Sequence, residues 1–327
     1  MPDLSSNSWR PTASTATLRL RAELLAEIRR FCADRGLLEV ETPALSTAGV
    51  PDAALEHMTV QAAGLGAEAY YLQTSPEVAM KRLLAADTGD IYQICRVFRD
   101  GELGRWHEPE FTLFEWYRVG WDEDQLMGEV ESLLVTLLEP RRDLTPTVRM
   151  SYQDAFREFL RVDPFADGPE LHGALSREAI DIPAETGADG LLDLALSQVI
   201  VPRLDPHAIS FIYDFPASQA ALARIKPQAP PVAARFEAFS GGIELANGFG
   251  ELTDVTEQRQ RFDTALALRH RDGRHGPPSD ERFLEALHHG LPPCAGVAVG
   301  VDRLVALAAG LTGIAATISF AHGADPS

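Results

Sequence analysis

The stretch IYQICRVFRDGELGRWHEPEFTLFEWYR, from Ile91 to Arg118, constrains this chain more than any other. Ile91–Arg99 and Glu110–Tyr117 are rich in the β-branched and aromatic residues that favour strands. Between them Gly101, Gly104 and Pro109 punctuate a polar loop, so the whole reads as a long antiparallel hairpin. Arg96, Arg99, Arg105 and His107 crowd its turn. Guanidinium groups are planar, permanently charged donors, and a row of them on a rigid arm suits a polyphosphate. Phe111 adds a flat face on which a nucleotide base stacks. A surface hairpin with solvated arginines fits the local pattern equally well, and the rest of the chain has to decide between the two.

Composition narrows the choice. The 29 basic and 48 acidic residues leave a net charge of −19, which argues against broad nucleic-acid contact but not against a local basic pocket. Cys32, Cys95 and Cys294 are odd in number and far apart, a pattern for buried thiols in a reducing cytoplasm. The start of the chain lacks a basic-then-apolar signal pattern, and residues 1–16 read as a flexible arm before a single domain over 17–327. Leu304–Ala321 runs 18 residues without a charge, near the length of a membrane span. It is mostly small residues broken by Gly310 and Gly313, so a buried helix followed by a short strand is expected, and no membrane.

Along the chain, Leu18, Leu25, Ile28 and Cys32 predict an amphipathic helix over 17–34 closed by Gly36, with a strand over Leu37–Pro43 behind it. Tyr70–Gln73 reads as a short strand. Ser75 then reads as an N-cap, with Pro76 at the first helical position and Glu77 as a first-turn acid. Helices are expected over Glu123–Leu138, Ser151–Leu160, Leu191–Leu204, Ala217–Arg224 and Thr253–Arg271, and residues 163–190 as a solvent-facing excursion. In RFEAFSGGIELANGFGE the Gly241–Gly242 pair predicts a second hairpin. Ala295–Val301 reads as a strand leading into a helix at Asp302–Arg303.

Glu237, Glu244 and Glu251 are spaced by seven. Facing each other across a hairpin, Glu237 and Glu244 would offer oxygen ligands to a hard cation such as Mg²⁺. Three unrelated surface acids are the plain alternative, yet Glu244 and Glu251 lie in an apolar, Gly-rich stretch where an unpaired carboxylate is costly. Gly296, Ala298 and Gly300 form one small-residue strand face, open to a ligand or to tight packing. Arg303 opposes the dipole of the helix it starts unless an anion binds nearby.

The segments RFCADRGLLEVETPAL, VFRDGELGRWHEPEFTLFEWYR and GVAVGVDRLVAL resemble, in order, motifs 1, 2 and 3 of the class II aminoacyl-tRNA synthetases, and IELANGFGELTD resembles a lysyl-specific stretch. From residue 17 onward the chain is similar to a lysyl-tRNA synthetase core. With no anticodon-binding barrel ahead of motif 1, it is similar to the related elongation factor P–lysine ligases. The resemblance implies an α+β fold, a mostly antiparallel sheet flanked by helices, in a homodimer formed through motif 1. It implies ATP and Mg²⁺, lysine or (R)-β-lysine as the activated amino acid, and elongation factor P rather than tRNA as the acceptor.

Carried over by position, Arg99 matches the arginine on the α-phosphate and Arg303 the one on the γ-phosphate. His107 would meet the phosphate tail, Phe111 would stack on adenine, and Asp100, Gly101 and Glu108 would border the nucleotide. Glu237 and Glu244 match the Mg²⁺ carboxylates, with Leu245 beside the nucleotide and Gly300 beneath it. Glu77, Tyr117 and Glu251 match the lysine pocket and Asn247 the amino-acid end, with Ser75, Pro76 and Ala298 shaping that pocket. Two departures stand out in motif 2. Gly101 occupies a position where the family carries Glu, and the usual His-Asn-Pro-Glu-Phe reads His107–Glu108–Pro109–Glu110–Phe111. Ser75 and Ala298 stand where lysyl-tRNA synthetases carry Ala and Gly, as in the ligases. Two other functions are compatible with these residues: a synthetase that charges tRNA or a small amine, and a non-catalytic paralogue that binds lysine or nucleotide.

Overall fold

The structure, a computed structural model, describes residues 9–52, 55–62, 64, 66, 69–166, 168–274 and 276–322. Contacts group the chain into two units. The first holds residues 1–119, 253–293 and 298–327, and the second holds 120–252 and 294–297.

In the first unit, Ser14 caps α1 (Thr15–Asp34) by accepting from the Thr17 backbone N–H at 3.1 Å. The buried stripe is Thr17, Leu24, Ile28, Phe31 and Cys32, so Thr17 and Leu24 replace the expected Leu18 and Leu25. Phe31, the bulkiest apolar residue of the helix, sets this stripe, because Leu24, Ile28 and Phe31 follow the i, i+4, i+7 spacing. Residues 1–8 of the expected arm lie outside the described residues, whereas Thr12 bonds the backbone of Ile318 and Ser319.

Strand β1 (Leu38–Glu39) is much shorter than the expected Leu37–Pro43 and pairs in parallel with the hairpin's first arm. Pro43 has no N–H to continue a ladder. A small antiparallel sheet of β2 (Leu45–Ser46), β3 (Thr59–Val60) and β4 (Tyr70–Leu72), in the order β2-β4-β3, precedes α2 (Glu77–Leu84). The hairpin follows as read, with β5 (Ile91–Phe98) and β6 (Glu110–Val119) in register from Ile91↔Tyr117 to Phe98↔Glu110.

The second unit begins with α3 (Glu123–Leu138), closed at its start by a reciprocal capping box between Asp122 and Gln125. After β7 (Val148–Ser151) and α4 (Tyr152–Phe159) comes α5 (Gly168–Arg177), inside the stretch read as a solvent-facing excursion. Its Leu171, Ala174 and Leu175 are spaced on one helical face and join the core cluster around Tyr152 and Phe156. Helix α6 (Ala188–Ala195) continues through a π turn and a 3₁₀ turn to Arg203, where Pro202 supplies no donor. The sheet strands are β8 (Ser210–Pro216), β9 (Ile225–Lys226), β10 (Val232–Ser240) and β11 (Ile243–Gly250), ordered β11-β10-β8-β7 with β9 also on β10. Only β7–β8 is parallel among these pairs. The expected helix over Ala217–Arg224 shrinks to a 3₁₀ turn at Ala217–Gln219. Its backbone is taken by neighbours instead: the Leu222 carbonyl accepts from Leu252, and the Arg224 N–H donates to the Gly250 carbonyl.

The first unit resumes with α7 (Val255–Arg271) and α8 (Glu281–Gly290), capped by the Asp254 and Asp280 side chains. Strand β12 (Cys294–Gly300) runs into α9 (Val301–Ala308). The uncharged stretch therefore holds one short buried helix, followed by a 3₁₀ turn at Ala315–Thr317 in place of the expected strand. Among the described residues no helix is long and apolar enough to cross a membrane. Mostly antiparallel pairing with flanking helices is the expected α+β organisation.

Candidate active site

Within the first unit, the hairpin loop and the start of α9 gather the cationic residues. Arg99 sits where β5 ends, its guanidinium 5.0 Å over the Phe111 ring, 3.4 Å from the Thr74 carbonyl and 3.7 Å from a Glu102 oxygen. Gly101 has φ +76 with no atom near its missing Cβ, so backbone conformation, not crowding, selects glycine here. The Asp100 carboxylate accepts from the Gly101 N–H at 2.9 Å and tightens the same turn. The first motif 2 departure is thus a turn requirement.

Arg303 spans from α9 to this loop: its Nε donates to the Trp106 carbonyl at 3.2 Å and its Nη2 lies 2.8 Å from His107 Nε2. Asp302, beside it and buried, accepts from Arg21 of α1 at 2.6 Å and from the Thr112 N–H at 2.7 Å. That double bond fixes the helix start from which Arg303 projects. Gly300 precedes it, and a Cβ there would lie 3.7 Å from the Arg303 side chain, an ordinary contact. Ala298 is half-buried on the same strand. Glu108, expected to border the nucleotide, is buried, and its carboxylate accepts from the His322 N–H at 2.9 Å.

Also in the first unit is an acidic cluster. Pro76, not the expected Ser75, is the N-cap of α2: its carbonyl accepts from Met80, and Ser75, one residue earlier, accepts from the Glu77 N–H at 3.1 Å through its Oγ. The same hydroxyl donates to Glu115 at 2.7 Å, and Tyr117 OH donates to the other Glu115 oxygen at 2.6 Å. Glu77 pairs with the fully buried Lys81 at 2.6 Å. Burial pushes the Glu115 carboxyl up to about 7, and the nearby Glu77 charge adds to the rise. Two carboxylates and a phenol around one buried amine leave room for a second cation in charge terms.

The second unit carries the remaining candidates. Glu237 pairs with Asn247 across the β10–β11 hairpin rather than with Glu244 as expected, but a bulge after Ala238 sets Glu244 opposite Phe239. Glu237 and Glu244 lie an odd number of residues apart, and the extra residue on β11 restores Glu244 to the face of Glu237. Burial raises the Glu237 carboxyl to about 7 against the pull of Arg235, and Glu244 pushes it further up. Arg235 donates to Glu237 and to the Asn247 side-chain amide oxygen Oδ1, orienting both. Leu245 and Glu251 are buried, the latter bridged to Ala223. The donor set fits Mg²⁺: two carboxylates leave the other positions to water and phosphate, the usual arrangement for that ion. No group of three or more metal-ligating side chains forms among the described residues.

Reading by motif missed Glu115, Lys81, Asp302 and Arg235. Glu115 and Arg235 are charged residues in apolar runs, and that cost of burial is the signal that marks such positions. Glu115 sits between Phe114 and Trp116, and Arg235 precedes Phe236.

A family model described as tRNA synthetases class II (D, K and N) matches residues 6–324. A protein of Salmonella gallinarum (strain 287/91 / NCTC 13346) named elongation factor P–(R)-beta-lysine ligase is 47% identical over 319 residues, covering 96% of this chain and 97% of the relative. One of the same name from Pseudoalteromonas translucida (strain TAC 125) is 46% identical over 323 residues, covering 97% and 98%. This chain is a member of the class II (D, K and N) tRNA synthetase family, alongside those ligases.

Proposed function

We propose that the chain is an ATP-dependent, AMP-forming ligase that activates lysine or (R)-β-lysine and transfers it to a lysine ε-amine of elongation factor P. The observation that carries this reading is the pairing of half-buried Glu77 with buried Glu115, held by Lys81, Ser75 and Tyr117. A desolvated ammonium needs more than one anionic partner, and such a pair serves an amino acid with a side-chain amine. The names of the relatives at 46–47% identity support both the amino acid and the acceptor.

In the reaction, the bound amino acid's carboxylate attacks the ATP α-phosphorus and pyrophosphate leaves. Arg99 takes charge developing on the α-phosphate, and Arg303 with His107 takes the γ-end after giving up their bonds to the loop. Phe111 stacks the base, and Gly300 and Leu245 border the nucleotide. Glu237 and Glu244 would hold Mg²⁺, which when bound neutralises phosphate charge. By their match to the family's positions, we assign Glu77, Tyr117 and Glu251 to the amine and Asn247 to the amino-acid end. The acceptor ε-amine then attacks the adenylate carbonyl, forming an amide and releasing AMP, so no protein nucleophile is needed. We place the enzyme in the cytoplasm as a homodimer built through α1 and β1, with residues 17–327 acting as one catalytic domain.

Mass spectrometry of elongation factor P incubated with enzyme, ATP, Mg²⁺ and each lysine isomer tests the reading. A mass increase of one lysyl group on a single lysine is expected. An unmodified factor with both isomers would overturn it.

A further inference from the structure

The Glu that replaces Asn in motif 2 has a partner at the far end of the chain. Glu108 Oε2 accepts from the His322 backbone N–H at 2.9 Å, and the His322 ring Nδ1 lies 3.5 Å from the same oxygen. Glu108 is 2% exposed, so its carboxylate is turned into this contact and away from solvent. The segment leading to His322 grips the same loop twice more. The Ile314 N–H donates to the Arg105 carbonyl at 3.0 Å, and Arg105 Nε donates to the Thr312 carbonyl. Gly313 lies so close that a Cβ would stand 2.9 Å from the Arg105 carbonyl oxygen.

The segment has its own anchor on the other side. Thr12 bonds Ile318, Ser319 and Ala321 through its backbone N–H and its hydroxyl. Arg303 holds the two residues between, Trp106 and His107. Every residue from Arg105 to Glu108 is therefore tied down, and the last tie depends on one side chain.

We propose that Glu108 is a positioning residue rather than a nucleotide contact: it fastens the 312–322 segment over the motif 2 loop and so holds that loop, and His107 with it, ready for the triphosphate. This rests on the assignment of Arg99, His107 and Arg303 to the phosphates. Because the acceptor oxygen is what His322 needs, an amide should serve where an alkyl group fails. Loss of the latch should raise the ATP KM alone, since the amino-acid pocket makes no use of it.

The test is ATP–pyrophosphate exchange with four variants: Glu108→Leu, Glu108→Gln, a chain stopped after Ala321, and Arg99→Ala. Glu108→Leu and the stopped chain should each raise the ATP KM about tenfold or more, the scale for losing a hydrogen bond to a charged group. Both should leave the lysine KM in place, and Glu108→Gln should stay within a few-fold of the parent. Should Glu108→Leu fail to fold, the stopped chain carries the test, because it removes the same bond without touching the hairpin. An unchanged ATP KM in the stopped chain, or equal rises in both KM values, overturns the latch. Near-normal exchange in Arg99→Ala marks instead a failure of the phosphate assignment.

Discussion

A carboxyl group stripped of water keeps its proton unless a cation replaces the lost hydration. Glu115 is in that position, raised to about 7 by burial with Glu77 next to it. An acid raised in the folded state stabilises the fold below its ordinary value and loses that contribution as pH climbs through the raised one, so the free enzyme should lose stability between about pH 5 and pH 7. An arriving ammonium reverses the preference, because it binds the ionised form. Lysine binding should therefore release a proton near pH 6 and release almost none above pH 8. Calorimetry of lysine binding without ATP or Mg²⁺, in buffers of different ionisation enthalpy, measures this directly. Glu115→Gln should weaken lysine binding and abolish the proton release. Binding with no proton release at pH 6 in the parent enzyme would show that Glu115 does not face the amine.

At the scale of elements, legibility followed from whether a segment's partners were local. The β5–β6 hairpin matches its reading almost residue for residue, because strand composition and loop punctuation both lie in one continuous stretch. Arg99 and Arg303 were singled out for the same reason, each a cation in a recognisable motif. Glu115 and Asp302 were not, since their partners Ser75 and Arg21 are distant in sequence. The bulge that returns Glu244 to the face of Glu237 was equally hidden, as no turn residue marks it. Helix α5 is the plainest loss: scattered Pro, Gly and acids around it masked three apolar residues with helical spacing. Its burial gives a test. Leu175 is fully buried in the cluster with Tyr152 and Phe156, so Leu175→Ala should cost about 2–5 kcal/mol of stability. A solvent-facing excursion would lose less than about 0.5 kcal/mol. Urea unfolding of the two proteins separates these figures easily.

Over the whole chain the dominant quantity is charge. A net −19 creates a repulsive field for any polyanion and an attractive one for a basic surface. The cations that do exist near the hairpin loop, Arg99, Arg105 and Arg303, are short-range and already engaged with Glu102, Thr312 and Trp106. They suit a small triphosphate and do little against the long-range field. An acceptor must therefore be drawn in by its own positive charge, which favours a protein whose modified lysine sits among other basic residues over a tRNA backbone. Exposed steering charges are screened over about 8–10 Å at physiological salt, so the effect belongs to association rather than to chemistry. Raising salt from about 0.05 to about 0.3 M should then lower kcat/KM for elongation factor P several-fold. The rate of ATP–pyrophosphate exchange, which needs no acceptor, should change far less. In a competition at low salt with bulk tRNA and elongation factor P both present, labelled lysine should appear on the protein. Label mainly on tRNA, or an acceptor kcat/KM that holds or rises with salt, would overturn the electrostatic account of acceptor choice while leaving the activation chemistry intact.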